Sequence, residues 1–479
     1  MELAEYSQFD ATGLADLVRR GETTAGDLAR CAIEGVTKVD DTLGSVVEAY
    51  ADRAEALGFE FAPTGPFGGV PTLLKDLFHG ESGSVCENGS RLTEGWVVPA
   101  DSEFPLRIRR SGLVNLGRTT TSEFGILGTS ETLAAGRTCS PWSAEHIAGG
   151  SSGGAAAAVG AGIVPVAAAS DGGGSIRIPA AACGVVGLKP SRGRVTWGPH
   201  IAEALIGWAV HFMVSRTVRD TAGLLDALHG PLAGDPFHVA APRRAFGQEV
   251  GAPVERLRVA YWSDPWSGAD ADPQVARATE ATARLLEGLG HEVEHARPPV
   301  EWEPFLQAMT DVWAADNAHT IDGIAHVLGR TPSPDNLEGS TFATLEYGRT
   351  VSAGRLLDAK DVANHASRAM GWFFSTYDVL LTPTLGTLPA KLGTYDPTER
   401  LELHELFDRW SAMESFLPIF NATGQPAISL PLHTSEEGLP IGMQLVTRFG
   451  GESLLLRLSA QLEEALPWVQ RRPPIHVAN

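Results

Sequence analysis

The chain has 479 residues, 43% of them hydrophobic and 20% charged, which is typical of a soluble globular protein with a sizeable core. Its formal net charge of −21 argues against nucleic acid or an anionic membrane surface as a partner. The chain does not begin like a signal peptide and has no run of about twenty apolar residues. Its four scattered cysteines indicate reduced thiols, so we expect a cytoplasmic protein.

The first part of the chain predicts helices followed by strands. Apolar residues recur at helical spacing over residues 10–58, and Thr24 with Asp27 three residues later is typical of a capped helix start. Residues 67–79 predict a buried strand, and residues 113–117 predict a second one. The polar, glycine-containing stretch that follows is expected to form loops, where functional residues are often placed.

Lys75 lies inside the first predicted strand, in the apolar run Val-Pro-Thr-Leu-Leu-Lys-Asp-Leu-Phe, and is one of five lysines in the chain. Burial penalises the charged form of a lysine and lowers its pKa. A neutral amine can then act as a general base. The alternative is a lysine whose amine leaves the strand end to pair with Asp76.

Residues 149–190 contain two serines, each in a glycine-rich turn: Ser151 in Gly-Gly-Ser-Ser-Gly-Gly and Ser175 in Asp-Gly-Gly-Gly-Ser-Ile. Between them we predict a helix over 153–162 and a strand over 163–169. A ten-residue helix spans about 15 Å and a seven-residue strand returns roughly 20 Å, so both serines are expected at one sheet edge, where α/β proteins bind ligands. The apolar run between them argues against a flexible Gly/Ser linker.

The second half of the chain also alternates between strands and helices. Strands are predicted at 257–262 and 291–296, on either side of a helix that starts at Asp272. Further predicted elements are mainly helical structure over 302–376, strands at 379–381, 427–430 and 443–446, and a helix over 454–466. The whole chain, 1–479, therefore predicts one large α/β domain with a mostly parallel mixed sheet covered by helices on both faces.

Residues 291–295, His-Glu-Val-Glu-His, match the pattern of a zinc-protease helix. Glycines end the preceding helix and prolines follow at 298 and 299, so the segment is too short to be helical. As a strand it places His291 and His295 on one face with Val293, and the glutamates opposite. A solvated edge strand is therefore favoured over a metal site, and no metal is expected.

Residues 149–153 also fit the Gly-x-Ser-x-Gly turn of α/β-hydrolases, with His404 or His433 as a later partner in chain order. No strong strand leads into Gly149, and that interpretation leaves the second glycine turn, 172–175, without a role. The Ser-x-x-Lys pattern of penicillin-recognising enzymes and the Gly-Lys-Ser/Thr ending of a phosphate-binding loop are both absent from the sequence.

Four motifs follow one another along the chain: Gly-Val-Pro-Thr-Leu-Leu-Lys-Asp, Gly-Gly-Ser-Ser-Gly-Gly, Ser-Asp-Gly-Gly-Gly-Ser-Ile-Arg-Ile-Pro and Cys-Gly-Val-Val-Gly-Leu-Lys-Pro. Together they resemble the amidase signature family. Late stretches at 420–431 (Phe-Asn-Ala-Thr-Gly-Gln-Pro-Ala-Ile-Ser-Leu-Pro) and 438–444 (Gly-Leu-Pro-Ile-Gly-Met-Gln) resemble its C-terminal part. Within the family, residues 189–196 and 466–473 are most similar to bacterial 6-aminohexanoate cyclic-dimer hydrolases and aryl-acylamidase-type enzymes.

The resemblance implies a core over 60–225 and 375–470, with a variable helical region at about 300–376 that contributes to the substrate pocket. It also implies roles for single residues. Ser175 is the expected nucleophile, Ser151, in a cis peptide with Gly150, relays the proton, and Lys75 is the base. The expected oxyanion hole consists of the amides of Gly172, Gly173, Gly174 and Ser175, and the expected supporting residues are Ser152, Ser170, Asp171 and Arg177. For Asp171 and Arg177 a purely structural ion pair is the alternative.

The implied activity is hydrolysis of an amide bond through an acyl-enzyme without metal or cofactor. The substrate is expected to be a small amide, linear, cyclic or aryl, or a carbamate, and the protein a monomer or homodimer. One alternative is the glutamine-hydrolysing subunit of a tRNA-dependent amidotransferase, although such subunits usually carry Arg-Gln-Pro where this chain has Arg-Ile-Pro at 177–179. Another is a catalytically inactive binding protein, against which the intact Lys75, Ser151 and Ser175 argue.

Overall fold

The computed structural model describes residues 1–57 and 64–479. Within them the α-helices are α1 (Leu3–Tyr6), α2 (Ala11–Arg19), α3 (Ala25–Leu43), α4 (Ala51–Ala56), α5 (Glu103–Arg110), α6 (Gly153–Gly160), α7 (Arg177–Cys183), α8 (Val218–Leu228), α9 (Pro273–Gly288), α10 (Trp302–Leu328), α11 (Gly339–Gly348), α12 (Ala353–Thr376), α13 (Leu403–Glu414), α14 (Ile419–Thr423) and α15 (Glu452–Ala465). The strands are β1 (Val46–Ala49), β2 (Pro71–Lys75), β3 (Val114–Thr119), β4 (Glu131–Thr132), β5 (Gly136–Arg137), β6 (Cys139–Ser140), β7 (Ser143–Ile147), β8 (Val166–Asp171), β9 (Val186–Lys189), β10 (Val210–Ser215), β11 (Arg258–Tyr261), β12 (Glu292–His295), β13 (Val379–Pro383), β14 (Ala427–Thr434) and β15 (Pro440–Thr447).

Eleven of these strands form one sheet in the order β1-β3-β2-β8-β10-β9-β14-β15-β13-β11-β12. Two groups of neighbours are parallel, β3-β2-β8 and β13-β11-β12. The pairings between these groups, and that of the edge strand β1, are antiparallel. The predicted α/β class and mixed sheet are confirmed, but parallel pairing is limited to these two groups, in part because a short turn joins β14 to β15 as a hairpin.

Alternating side chains along the strands separate two apolar cores. Val259, Val379 and Leu381 belong to a core shared with helices such as α3, α6, α8 and α15. Their neighbours Ala260 and Leu380 belong to a second core, shared with α10 to α14. Because successive residues of a strand point to opposite faces, the two cores lie on the two sides of the sheet. The single domain therefore has helices on both faces, as predicted.

The N-terminal prediction needs one correction. Helices α2, α3 and α4 occupy most of 10–58, and the Thr24–Asp27 capping box at the start of α3 is confirmed. The strand β1 at Val46–Ala49 interrupts the helices and pairs with β3 at the sheet edge, so an entirely helical segment was wrong. A four-residue edge strand has too little periodicity to show against its helical flanks. Residue 58 and residues 60–63, the start of the predicted core, lie outside the described residues.

The segment at 291–295 is a strand, as predicted, and not a metal-binding helix. β12 covers Glu292–His295 and pairs with β11 in parallel. His291 precedes it, is buried, and accepts the Leu257 amide at Nδ1 while its Nε2 contacts Gln461. His295 is exposed and stacks on Trp262. Over residues 1–57 and 64–479 no three His, Cys, Asp or Glu side chains form a group suited to a metal ion.

Two further observations concern the described residues as a whole. The thiols of Cys31, Cys86, Cys139 and Cys183 are all free and buried. In the same part of the chain, every helix is too short or too polar to cross a lipid bilayer.

Candidate active site

Two neighbouring strands and two glycine turns bring the predicted site residues together. Lys75 is the last residue of β2, and Ser170 lies near the end of β8, which pairs with β2 in parallel. The carboxyl ends of parallel neighbours share one sheet edge. Ser151 precedes α6, and Ser175 lies in the turn between β8 and α7. As predicted, a helix (α6) and a strand (β8) connect Ser151 to Ser175 and bring the chain back to the same sheet edge.

Lys75 is buried, with 1% of the residue's surface exposed, and its amine contacts two serines. Its Nζ lies 2.7 Å from Ser151 Oγ and 2.9 Å from Ser170 Oγ. Burial lowers the pKa of Lys75 well below its usual value, and the negative charge of Asp171 opposes this only in part. Burial therefore favours the neutral form of the amine, whose nitrogen lies within hydrogen-bond distance of the Ser151 hydroxyl.

The alternative pairing of Lys75 with Asp76 is wrong. The Asp76 carboxylate accepts a hydrogen bond from Arg118 at 2.9 Å and one from the Glu87 amide at 2.8 Å. Asp76 is thereby committed to a separate buried ion pair. Over residues 1–57 and 64–479 the side-chain partners of the Lys75 amine are two hydroxyls, which stabilise its ammonium form far less than a carboxylate would.

The turn that carries Ser151 leaves no space for a side chain at Gly150. The Gly150–Ser151 peptide bond is cis, as the resemblance implied. A Cβ added to Gly150 would lie 2.5 Å from the Thr129 amide nitrogen, so only glycine fits against that loop. The Ser152 hydroxyl bonds to the backbone of Ser170: its Oγ donates to the Ser170 carbonyl at 3.2 Å and accepts the Ser170 amide at 3.3 Å. These two bonds tie the Ser151 turn to the strand that carries Ser170.

The second glycine turn presents backbone amides. Among the described residues, the amides of 172–175 donate to no protein group. A Cβ at Gly172 would lie 2.5 Å from Leu205 Cδ1, and one at Gly174, where φ is +145°, would lie 2.7 Å from Leu417 Cδ1. The glycines therefore permit a tight turn with open amide donors. Such donors are what an oxyanion needs.

Asp171 and Arg177 form a fully buried ion pair behind this turn. Two nitrogens of the guanidinium donate to the carboxylate, both at 2.9 Å, and both side chains have no exposed surface. Burial favours the neutral acid, but Arg177 outweighs it and holds the pKa of Asp171 below its usual value. Asp171 also accepts the Ile176 amide, which fixes the turn around Ser175. The pair thus has the geometry of a structural ion pair and also fixes the glycine turn that carries Ser175.

Two residues that complete this network had no predicted role. Asn421 Nδ2 donates to Asp171 at 2.9 Å, and its Oδ1 accepts Arg177 at 2.6 Å. Gln444 Oε1 accepts Arg177 at 2.8 Å. Both lie in the late sequence motifs, 420–431 and 438–444, so their motif membership was a usable signal. Their contact with Arg177 could not be predicted in this way, because Arg177 lies more than 200 residues earlier in the chain.

A family model described as Amidase matches residues 29–456. The chain belongs to the amidase signature family. A 6-aminohexanoate-cyclic-dimer hydrolase from Paenarthrobacter ureafaciens is 36% identical over 481 residues, 97% of this chain and 96% of the relative. A solved 6-aminohexanoate cyclic dimer hydrolase superposes with a TM-score of 0.91 at 34% identity, covering 98% of this chain and 99% of the other.

A bacterial aryl acylamidase of the amidase signature family also shares the fold. Its TM-score is 0.87 at 25% identity, over 96% of this chain and 97% of the other. The family, the fold and both kinds of relative agree with the resemblance inferred from the motifs. The protein is accordingly an amide hydrolase that acts on C–N bonds.

Ser175 of this amidase lies where two cavities meet. The larger, about 460 Å³, is lined by Ser151, Ser170 and Gly172 together with Ser175. The smaller, about 40 Å³, is lined by Gly173 and Ser175 but not by Ser151. Trp313 of α10 lines both cavities. The region 300–376, expected to contribute to the substrate pocket, lines both cavities, and so do residues of the predicted loops after residue 117. Helix α13 (Leu403–Glu414) lines the smaller cavity and was not expected to do so.

A second buried lysine of the amidase was also missed. Lys189 ends β9, is fully buried, and donates to the Pro190 carbonyl at 3.0 Å. Burial and the nearby Arg177 guanidinium lower the pKa of Lys189 to about 7. It lies outside both cavities, so its charge acts on the Asp171–Arg177 pair rather than on a substrate.

Proposed function

We propose that the amidase cleaves its substrate through an acyl-enzyme on Ser175, with Ser151 as proton relay and Lys75 as base. Ser175 Oγ forms a bond to the carbonyl carbon and gives its proton to Ser151 Oγ, whose own proton passes to the Lys75 amine. The relay then runs backward: Lys75 returns the proton through Ser151 to the leaving nitrogen as the C–N bond breaks. Water, activated by the same relay, releases the acid from Ser175.

The contact between Lys75 and Ser151 is the observation that carries this proposal. A lysine at its usual pKa near 10.4 is almost entirely charged at neutral pH and cannot accept a proton. Lys75 is buried and has no carboxylate partner in the described part of the chain, which supports a neutral amine, 2.7 Å from the relay hydroxyl. Ser151 and Ser175 line the same cavity, which supports transfer between them once a substrate is bound.

The open amides of Gly172, Gly173, Gly174 and Ser175 are proposed to hold the oxyanion. Negative charge develops on the carbonyl oxygen as Ser175 attacks, and preorganised amides stabilise it without reorganising. The buried Asp171–Arg177 pair supports this role because Asp171 accepts the Ile176 amide and so holds the turn rigid. Removal of one oxyanion donor typically costs about 3 kcal/mol of transition-state stabilisation.

We propose small aryl amides, cyclic amides and carbamates as substrates. A carbamate presents the same carbonyl to Ser175 as an amide does, so urethane hydrolysis uses the same machinery. Apolar and aromatic side chains of the larger cavity, among them Phe78, Trp96 and Trp197, suit an aromatic or alkyl leaving amine. The names of the two relatives, a cyclic-dimer hydrolase and an aryl acylamidase, support the same classes.

Labelling separates the two serines. The intact enzyme is treated with an alkyl sulfonyl fluoride, digested, and analysed by mass spectrometry. The adduct is expected on the peptide with Ser175, and Ser175→Ala should remove both the adduct and turnover of an aryl amide. Ser375→Ala, an exposed serine on α12, is the matched control and should change neither. Modification of Ser151, with Ser175 dispensable, would contradict the proposal and move the nucleophile to the Gly-x-Ser-x-Gly turn.

A substrate panel tests the chemical class. Turnover is measured with an aryl amide, a cyclic amide, an aryl carbamate and free glutamine on the isolated chain. We expect turnover of the first three and little ammonia from glutamine. Efficient release of ammonia from glutamine, with the other three inert, would favour the amidotransferase subunit instead.

A further inference from the structure

The small cavity beside Ser175 has an unusual concentration of unpaired polar atoms. Trp313 Nε1, Trp410 Nε1, Glu414 Oε1 and Ser415 Oγ are buried and find no hydrogen-bond partner among the described residues. All four residues line this one cavity, whose other walls are mainly apolar. Buried polar atoms normally have partners, and an unpaired one costs on the order of 1–3 kcal/mol. Four around one cavity indicate a polar group that binds there.

Glu414 is the centre of this set. It is the last residue of α13, and its carboxyl group lies directly over Gly128: a Cβ added to Gly128 would lie 1.8 Å from Glu414 Oε1. Gly128 thus leaves the space that the carboxyl group occupies. Burial raises the pKa of Glu414 to about 8, and no cation pairs with it among the described residues. The carboxyl group is mostly protonated at neutral pH and can donate a hydrogen bond.

The chemistry of the polar atoms defines the group that fits them. The two indole nitrogens donate only, and a protonated carboxyl and a hydroxyl each donate as well. A bound group that accepts hydrogen bonds, such as a ketone, amide or carbamate carbonyl, satisfies these donors. An alkyl group of the same shape leaves them all unpaired.

The position of the relay serine shows which part of a substrate reaches this cavity. Ser151, which on the proposed mechanism protonates the leaving amine, lines the larger cavity and not the smaller one. The leaving amine therefore lies on the larger side of Ser175. The acyl group, on the opposite side of the carbonyl carbon, extends into the smaller cavity.

We propose that the small cavity is an acyl-group subsite in which Glu414, with Trp410 and Ser415, selects acyl groups that carry a hydrogen-bond acceptor beyond the scissile carbonyl. This inference rests on the proposed function, because that mechanism orients the substrate. Glu414 is a specificity-determining residue in this proposal. It takes no part in proton transfer to or from Ser175.

The test uses two substrates with the same leaving group. The p-nitroanilides of 4-oxopentanoic and 4-methylpentanoic acid have acyl chains of the same length and similar width. At C4 the first carries a ketone oxygen where the second carries a methyl group and a hydrogen. We expect kcat/KM to favour the oxo substrate by about tenfold, since the methyl substrate leaves buried donors unpaired. Equal values, or a preference for the methyl substrate, would overturn the proposal by showing that water alone satisfies the polar atoms.

Variants assign the preference to Glu414. Glu414→Leu should reduce the oxo-to-methyl ratio to about twofold or less, whereas Glu414→Gln, which keeps a donor at the same place, should retain most of it. Gly128→Ala should displace the carboxyl group and lower the ratio without altering Glu414 itself. Glu405→Gln, an exposed residue of the same helix, is the control and should leave the ratio unchanged. An unchanged ratio in both Glu414→Leu and Gly128→Ala would overturn the proposal.

The outcome is separable from that of the proposed function. The substrate ratio is measured within one enzyme, so a partly unfolded preparation lowers both rates and leaves the ratio intact. Ser175→Ala decides the mechanism independently: if it retains turnover, the proposed function fails whatever the ratio is. If Ser175→Ala is inactive and the wild-type ratio is near one, only the acyl subsite fails.

Discussion

Asp171 and Arg177 lie behind the turn that carries Ser175. Every nitrogen of the Arg177 guanidinium and both oxygens of the Asp171 carboxylate form hydrogen bonds within the protein. Ser175 also lines the small cavity, where two indole nitrogens, a hydroxyl and a carboxyl oxygen have no partner among the described residues. The first arrangement fixes the glycine turn in a single geometry. The second leaves hydrogen-bonding capacity for a ligand.

This contrast matches two different tasks, holding the reacting atoms in place and selecting the substrate. Groups that must hold the reacting atoms in place are rigid when all their hydrogen bonds are made within the protein. Groups that recognise a substrate gain from partners only when the substrate arrives, because an unsatisfied buried donor penalises the wrong ligand. Lys75 is intermediate: it contacts the hydroxyls of Ser151 and Ser170, and of these Ser151 takes part in the proposed proton transfer.

The largest expected effect comes from Lys75. Lys75→Ala should lower turnover of an aryl amide by on the order of 10³-fold, since a general base contributes up to about 10⁴-fold. Lys75→Arg should do no better, because a guanidinium does not lose its proton in a protein. Steady-state kinetics on folded variants measure both effects. Near-normal turnover of Lys75→Arg would contradict the role of base and show that Lys75 acts only as a positive charge that positions Ser151.

The pH profile gives the same prediction a second readout. The base must be neutral, so activity falls as pH drops through the lowered pKa of Lys75 and stays high into the alkaline range. kcat/KM measured across pH in the free enzyme reports that pKa. A profile in which activity rises only near pH 10, where an exposed lysine loses its proton, would show that Lys75 is not desolvated.

Removal of one partner from the buried ion pair is expected to have the next largest effect. Arg177→Met leaves Asp171 as an uncompensated buried charge, which typically costs about 3–5 kcal/mol in the free energy of unfolding. The matched control is Arg349→Met, which breaks an exposed pair with Asp322 and should cost less than about 1 kcal/mol. Urea unfolding of both variants measures the difference. Equal small losses would mean that the fully bonded side of Ser175 is no more rigid than the surface.

How far the sequence predicts this site depends on how far apart in the chain the contacting residues are. The turns around Ser151 and Ser175, the strand of Lys75 and the Thr24 cap are local patterns, and their elements could be predicted within a few residues. Asn421 and Gln444 lie in recognisable motifs, but their contact with Arg177 depends on the order of strands in the sheet. The proportion of parallel and antiparallel strand pairs could not be predicted for the same reason: it depends on which strands are neighbours, as in the antiparallel hairpin of β14 and β15.

The small cavity was the part least accessible to prediction. Trp410, Glu414 and Ser415 come from α13 and the turn after it, and only the fold places them opposite Gly128 and Ser175. Nothing in the local sequence marks Glu414, because a glutamate at a helix end is ordinarily solvated. Its burial, and with it the raised pKa, is a property of tertiary packing alone.

Substitution of histidines should have little effect on activity. His291, His295, His404 and His433 line neither cavity, and His433 contacts Thr282 instead. Each substitution to alanine should cost less than about tenfold in kcat/KM, or 1.4 kcal/mol, and chelators should leave activity intact. The measurement is turnover of the aryl amide after far-UV circular dichroism has shown that the variant is folded. A hundredfold loss at any one of them would contradict the lysine-based relay.

The smallest effect is expected at the helix cap, which tests what a fully bonded polar group contributes away from the site. Thr24 accepts the Asp27 amide at 3.1 Å, and Asp27 in turn accepts the Thr24 amide at 3.2 Å. Thr24→Ala should lower the free energy of unfolding by about 1 kcal/mol and leave kcat/KM and the acyl-group preference unchanged. Urea unfolding beside the aryl-amide assay measures both quantities. A loss as large as that of Arg177→Met would show that burial does not determine how much a hydrogen-bonded polar group stabilises this fold. The contrast between the Asp171–Arg177 pair and the small cavity would then be one of geometry and not of stability.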